Sequence, residues 1–146
     1  GFVYNNYLST CTRDPHPYQL RGGGMPQSNA APTIVLTNGK PFLALGSAGS
    51  RRIVSSLVQV ISAVIDNGFS LADALALPRA HPLVGGGIWA EKPLGQLQHE
   101  ELQKRFGGLR QFGALNYKFG AVQAIGWSEG PVIGAADPRR DGKTAC

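Results

Sequence analysis

Thr33-Ile34-Val35-Leu36-Thr37-Asn38-Gly39-Lys40-Pro41-Phe42-Leu43-Ala44-Leu45 runs into Gly46-Ser47-Ala48-Gly49-Ser50-Arg51-Arg52, and Ile53 to Asn67 follows. Two apolar runs flank Asn38-Gly39, the pair best suited to the two positive-φ positions of a type I′ turn, so the stretch reads as a β-hairpin. Its strands are apolar on successive rather than alternate residues, which predicts a sheet covered on both faces. Beyond the glycine-rich junction, Val54, Leu57, Val58, Ile61, Val64 and Ile65 recur at helical spacing. They predict a helix over 53–67 with one apolar face and Gly68 as its C-cap.

Further along the chain, Ser70 with Asp73 three residues later makes a capping-box-like start for a short helix to Ala76, and Pro78 stops it. Leu94 to Phe106 reads as a third, more polar and superficial helix. Gly120–Gly126 and Pro131–Ala136 make a second hairpin around Ser128-Glu129-Gly130. Upstream, Gly1 to Leu8 suggests a short strand, and Ser9 to Gln27, with Pro15, Pro17, Pro26 and Gly22-Gly23-Gly24, a long loop of the kind that is usually functional or mobile. Hairpin, helices, hairpin is an α+β order, with helices packed on an antiparallel sheet.

Twenty Gly and ten Pro among 146 residues exceed the usual share without reaching a disordered composition. The length allows a single domain, 1–146, with a real core. Only 16% of residues are charged, against roughly a quarter in ordinary domains, so part of the surface is expected to lie against a partner. The net charge of +5 raises nucleic acid as a partner, but the nine arginines are scattered, as in Arg51-Arg52 and Arg139-Arg140, and follow no helix face. Nucleic-acid binding is therefore not expected. No apolar run is long enough to span a membrane. Cys11 and Cys146 stand far apart, and His16, His81 and His99 lie at ligand spacing neither from one another nor from a cysteine, so no metal site is expected.

The junction Gly46 to Arg52 is the richest chemical spot, because unpaired N–H groups at a helix N-terminus attract an anion or a developing oxyanion. Gly49 admits a close approach to its backbone, and Ser50 adds a hydroxyl; an ordinary glycine-rich turn with a serine cap uses the same residues. Ser28 and Asn29 put small donors before the hairpin, equally suited to holding a carboxylate or to capping a turn. Asn5-Asn6-Tyr7 has the same two readings. No phosphate-loop or GxSxG pattern is present. Asp137-Pro138-Arg139-Arg140-Asp141-Gly142 reads as a turn with a local ion pair.

Pro32-Thr33-Ile34-Val35, Asn38-Gly39-Lys40-Pro41, Gly46 to Ile53, Leu77-Pro78-Arg79-Ala80-His81, Gly120-Ala121-Val122-Gln123-Ala124-Ile125 and Gly134 to Lys143 stand in order over nearly the whole chain. Together they resemble the carboxy-terminal part of the small subunit of γ-glutamyltranspeptidases. The resemblance implies an enzyme: an N-terminal-nucleophile hydrolase with an αββα four-layer sandwich, made from a precursor that cleaves itself into two subunits. The family's nucleophile is a threonine at the small subunit's first residue, whose hydroxyl attacks the amide with its own α-amine as base. That residue is expected upstream of Gly1, in another piece of the same precursor.

By position, Gly49 and Ser50 match the paired glycines whose amides form the oxyanion hole, and Arg52 the arginine after them. Ser28 and Asn29 match two serines that hold the substrate α-carboxylate. Tyr7 and Thr10 match the residues that grip the α-amine. Neither Tyr7 nor Thr10 carries a charge, and a buried ammonium without a carboxylate partner is costly. The expected substrate is thus a small amide whose acyl group has an acid end and no free amine. Alternatives are a true γ-glutamyl transferase or hydrolase acting on glutathione, and a non-catalytic module retaining the fold. The resemblance implies no metal and no organic cofactor. Its implied partners are the large subunit and the N-terminal part of the small subunit. The compartment is open between cytoplasmic and exported.

Overall fold

Asn38 at φ 51° and Gly39 at φ 75° close the first hairpin as a type I′ turn. It joins β1 (Thr33–Thr37) to β2 (Lys40–Ala48), with Thr33 opposite Leu45 and Thr37 opposite Lys40. A bulge at Val35/Leu36 takes up one extra residue of β2. The computed structural model describes residues 8, 11, 15, 19–127 and 130–144. Of the strand expected over Gly1–Leu8 only Leu8 is among these residues, and most of the first half of the following loop lies outside them. From Leu20 to Pro32 the chain is irregular, as expected.

The second hairpin pairs β6 (Ala121–Gly126) with β7 (Ile133–Ala136), and β6 pairs in turn with β2. The result is an antiparallel sheet in the order β1-β2-β6-β7. Two helices cover one face, α1 (Ile53–Ile65) and α2 (Leu71–Ala76). Leu43 and Leu45 of β2 and Val122 and Ala124 of β6 meet Leu57, Val60 and Ala63 of α1 and Ala74 and Leu75 of α2 in the core. Each buried leucine contributes about 2 kcal/mol. The Ser70 hydroxyl accepts from the Asp73 N–H (3.1 Å), which starts α2, and Leu77 turns extended before Pro78, which ends it.

Two expectations need correction. The apolar face of α1 is rotated from the one read off its spacing: Val54, Val58 and Ile65 are exposed, while Val60 and Ala63 are buried. With apolar residues almost all round the helix, periodicity alone does not choose the inward side. Helix α1 also ends at Ile65, and Gly68, at φ 69°, lies beyond the C-cap Asp66. Secondly, the sheet is not covered on both faces by described residues. Its far face exposes Ile34 (68%) and Ile125 (43%) and carries an open groove of about 940 Å³.

Three short strands have no clear signature in the sequence. β3 (Ala80–Pro82), β4 (Ile88–Glu91) and β5 (Leu109–Phe112) form a second sheet, antiparallel between β3 and β4 and parallel between β4 and β5. The parallel pair is bridged by α3 (Gln96–Phe106), which buries no residue, in keeping with its polar sequence. The architecture is α+β, and the four-stranded sheet with α1 and α2 supplies one β layer and one α layer of a sandwich.

Candidate active site

Strand β2 stops at Ala48, and the chain reaches α1 through Gly49 and one tight turn, Ser50–Arg52, in which the Arg52 N–H donates to the Gly49 carbonyl (3.1 Å). Among the described residues, the N–H groups of Gly49 and Ser50 have no protein acceptor. Both stand at the positive end of the α1 dipole. Two neighbouring free donors at such a place suit the oxygen of a carbonyl that becomes negative during attack.

Gly49 adopts φ 137°, and a Cβ on it would fall 2.8 Å from the Gly120 Cα, so nothing larger fits without moving backbone. Ser50 is different. It is exposed, yet sits at φ 54°, a left-handed conformation that costs a residue with a Cβ about 1 kcal/mol or more. Ser50→Gly is accordingly expected to stabilise the protein by about 1 kcal/mol, read as a rise in the urea midpoint at unchanged slope. A lower midpoint would mean that the Ser50 side chain makes a stabilising contact that outweighs the strain.

The register brings the Ser28–Pro32 approach toward the same end of the sheet. Since Thr33 faces Leu45 in an antiparallel pair, the residues before Thr33 run past Leu45 toward Ala48. Ser28 is exposed and its hydroxyl accepts from the Ala30 N–H (3.0 Å), the turn-capping use of this residue. Asn29 is half-buried. Tyr7 and Thr10, like Asn5-Asn6, lie outside the described residues.

Beside the turn, the Arg52 guanidinium lies 5.1 Å over the Trp89 ring. The Ser55 hydroxyl is 2.9 Å from Nδ1 of His81. Partial burial, and next the Arg52 charge, lower the His81 pKa, so the neutral ring is the form favoured at neutral pH. Gln59 ties α1 to β3 twice, donating to the Ala80 carbonyl and accepting from the Ala80 N–H, each at 2.8 Å.

Sequence reasoning missed the strongest electrostatic feature. Glu91, Arg79, Asp137 and Arg139 are all at most 5% exposed. Arg79 Nη1 lies 2.7 Å from Asp137, Arg139 Nη1 lies 3.2 Å from the same carboxylate, and Arg139 also pairs with Glu91. Asp137 and Arg139 do form the local ion pair expected of a turn. That pair is, in addition, buried and joined to two residues far away in sequence, Arg79 and Glu91. Burial, and next the Arg139 charge, pull the Arg79 guanidinium below its ordinary value, while Asp137 and Glu91 act in the other direction. Arg139 further donates to the carbonyls of Leu75 and Leu77 at the end of α2, both at 2.7 Å. The Asp137 carboxylate also accepts from the Val122 N–H of β6 (2.7 Å). The four charges thus lock both sheets and α2 together beneath the site. Arg79 and the Asp137 turn lie in segments that the sequence singles out, but Glu91 carries no signal of its own.

The family model described as Gamma-glutamyltranspeptidase matches residues 1–146. Glutathione hydrolase 5 proenzyme of Rattus norvegicus is 34% identical over 99% of this chain and 26% of its own length. Acylase ACY 1 proenzyme of Pseudomonas sp. (strain SE83) is 31% identical over 97% of this chain and 25% of its own length. The chain spans between about a fifth and a quarter of the length of the curated relatives it matches. Among solved structures, gamma-glutamyltranspeptidase from Pseudomonas nitroreducens complexed with L-DON superimposes with a TM-score of 0.84 at 26% identity, covering 100% of this chain and 82% of that one. Matched by the family model from its first residue to its last, and superimposing along its whole length on a solved member, the chain belongs to the gamma-glutamyltranspeptidase family.

Proposed function

We propose that this chain is the carboxy-terminal part of the small subunit of an amidohydrolase or acyltransferase whose threonine nucleophile lies in another piece of the same precursor. The observation that carries this reading is the Gly49–Ser50 turn, with two amides at the head of α1 that have no acceptor among the described residues. In the proposed reaction the threonine hydroxyl attacks the amide carbonyl, and the Gly49 and Ser50 amides hold the oxyanion. Collapse expels the amine and leaves an acyl-enzyme, which water or a second amine resolves. Metal and organic cofactor have no part in this scheme. The exposed apolar face of the four-stranded sheet supports a partner sheet built from the large subunit and the N-terminal part of the small subunit, since an exposed apolar patch of this kind favours association.

Substrate choice follows from charge. Tyr7 and Thr10 supply no carboxylate for an ammonium, whereas Ser28 and Asn29 remain able to donate to a carboxylate. The reading is an acyl group with an acid end and no free amine, and a relative named as an acylase supports it. The names of other relatives, which are glutathione hydrolases, favour a second reading in which γ-glutamyl donors are the substrates. Turnover by the full-length, self-processed protein separates the two. Glutaryl-p-nitroanilide is expected to exceed γ-glutamyl-p-nitroanilide in kcat/KM by at least about tenfold, one desolvated charge contact being worth 1.4 kcal/mol or more. The reverse order would transfer the case to the glutathione reading. Intact mass spectrometry should also find a companion fragment that begins with threonine.

A further inference from the structure

We propose that Ser56 is a positioning residue for the Gly49 and Ser50 amides, an inference that rests on the reading of that turn as the oxyanion-binding element. Ser56 is only 2% exposed, on the face of α1 that points into the protein. Its hydroxyl is 2.7 Å from the Arg52 carbonyl and 2.8 Å from the Phe119 carbonyl, and its single proton is shared between them. The first contact is the ordinary back-bond of a helical serine to its own preceding turn. The second is not needed by the helix. It reaches 63 residues along the chain, to Phe119, two residues before β6.

What stands beyond Phe119 gives that contact its consequence. Gly120, at φ 79°, has its Cα wedged between Ser56 and the candidate site. A Cβ on Gly120 would fall 2.7 Å from the Ser56 hydroxyl and 2.9 Å from the Ala48 carbonyl. On the other side, the Gly120 Cα is the atom that a Cβ on Gly49 would strike. The Ser56 hydroxyl therefore grips both walls of one corner: the Arg52 carbonyl, which closes the turn, and the Phe119 carbonyl, which sets where the turn's support stands. Arg79 Nη1 lies 3.3 Å from the same Phe119 carbonyl and is itself paired with Asp137, so the corner is tied to the buried charge network. Oxyanion donors have to be held within about half an ångström of their working positions. An alanine at position 56 would fill most of the volume and release both carbonyls from this tie.

The test uses the full-length, self-processed protein with glutaryl-p-nitroanilide and γ-glutamyl-p-nitroanilide, following the release of p-nitroaniline per titrated active site. Ser56→Ala is expected to slow acylation at saturating anilide about tenfold, the equivalent of one hydrogen bond of about 1.4 kcal/mol, with KM within twofold. Ser56→Thr, which keeps the hydroxyl, should restore most of the rate. A purely structural role would lower the yield of titratable sites and the melting temperature while leaving the rate per site unchanged, and that outcome overturns the proposal. Should Ser56→Ala yield no processed protein, Ser56→Cys takes its place with the same expectation, since its thiol fills the space as a weaker donor. If the unsubstituted protein releases no p-nitroaniline from either anilide, the reading of the turn falls and this inference with it. If it releases p-nitroaniline at the same rate as Ser56→Ala, only the role of Ser56 falls.

Discussion

Replacing Glu91 by leucine in the full-length protein is expected to lower the opening free energy of the β6 amides by about 3–5 kcal/mol, measured by hydrogen exchange. The carboxylate accepts from the N–H groups of Arg79 (2.9 Å) and Asn116 (2.6 Å) and from Arg139 Nε (2.9 Å), with no solvent access of its own. Removing it leaves two buried guanidinium groups facing one carboxylate, where the intact cluster is neutral. An uncompensated buried charge costs more than the loss of an average contact. The paired substitution Glu91→Leu with Arg139→Met is the informative companion. It removes one charge of each sign, so its cost should fall short of the sum of the single costs by at least about 1 kcal/mol. Simple additivity would mean that the four residues act as separate contacts and not as one electrostatic unit. The pair will still carry some cost, because Arg139 also satisfies the Leu75 and Leu77 carbonyls.

Gly49→Ala should have the largest effect on turnover. The new Cβ would meet the Gly120 Cα at 2.8 Å, and that neighbour is backbone with no rotamer to offer. The φ of 137° adds strain in a region that residues with a Cβ rarely occupy. Relief requires the turn to move, and the two amides move with it. Loss of one oxyanion donor typically costs 10²–10³ in kcat, so anilide turnover per titrated site is expected to fall by about that factor, with KM changed far less. Gly113→Ala serves as the control, since space around Gly113 is open and its backbone ordinary. Wild-type turnover in Gly49→Ala would show that the oxyanion is held elsewhere.

The parts of this protein that could be read in advance share a short range of interaction. Asn38-Gly39 makes its turn from two residues' dihedral preferences, and Ser70 caps α2 with a partner three residues away. The Gly49–Ser50 junction was legible for the same reason, as a glycine-rich break between an apolar strand and an apolar helix. Ser28 and Asn29 were legible as small donors before a strand; the capping bond from Ala30 to Ser28 is the use the structure adds. Strands β3, β4 and β5 escaped because each has only three or four residues and one of their pairings is a parallel contact across α3. Segments so short carry too few residues for a period to stand out.

Composition and local pattern alone determined the two hairpins, the order of the three helices, the α+β class and the place where a carbonyl oxygen could be received. Those features depend on dihedral preferences and caps that act within a few residues. Which side of α1 turns inward, which sheet face stays bare, and the meeting of Arg79, Glu91, Asp137 and Arg139 were decided only by the tertiary structure. The physical reason is that desolvation acts on groups according to what surrounds them in space. A charge that would be cheap on a surface turn becomes tolerable in the interior only when its counter-charges, 48 and 58 residues away in the chain for the pairs Glu91–Arg139 and Arg79–Asp137, are folded against it.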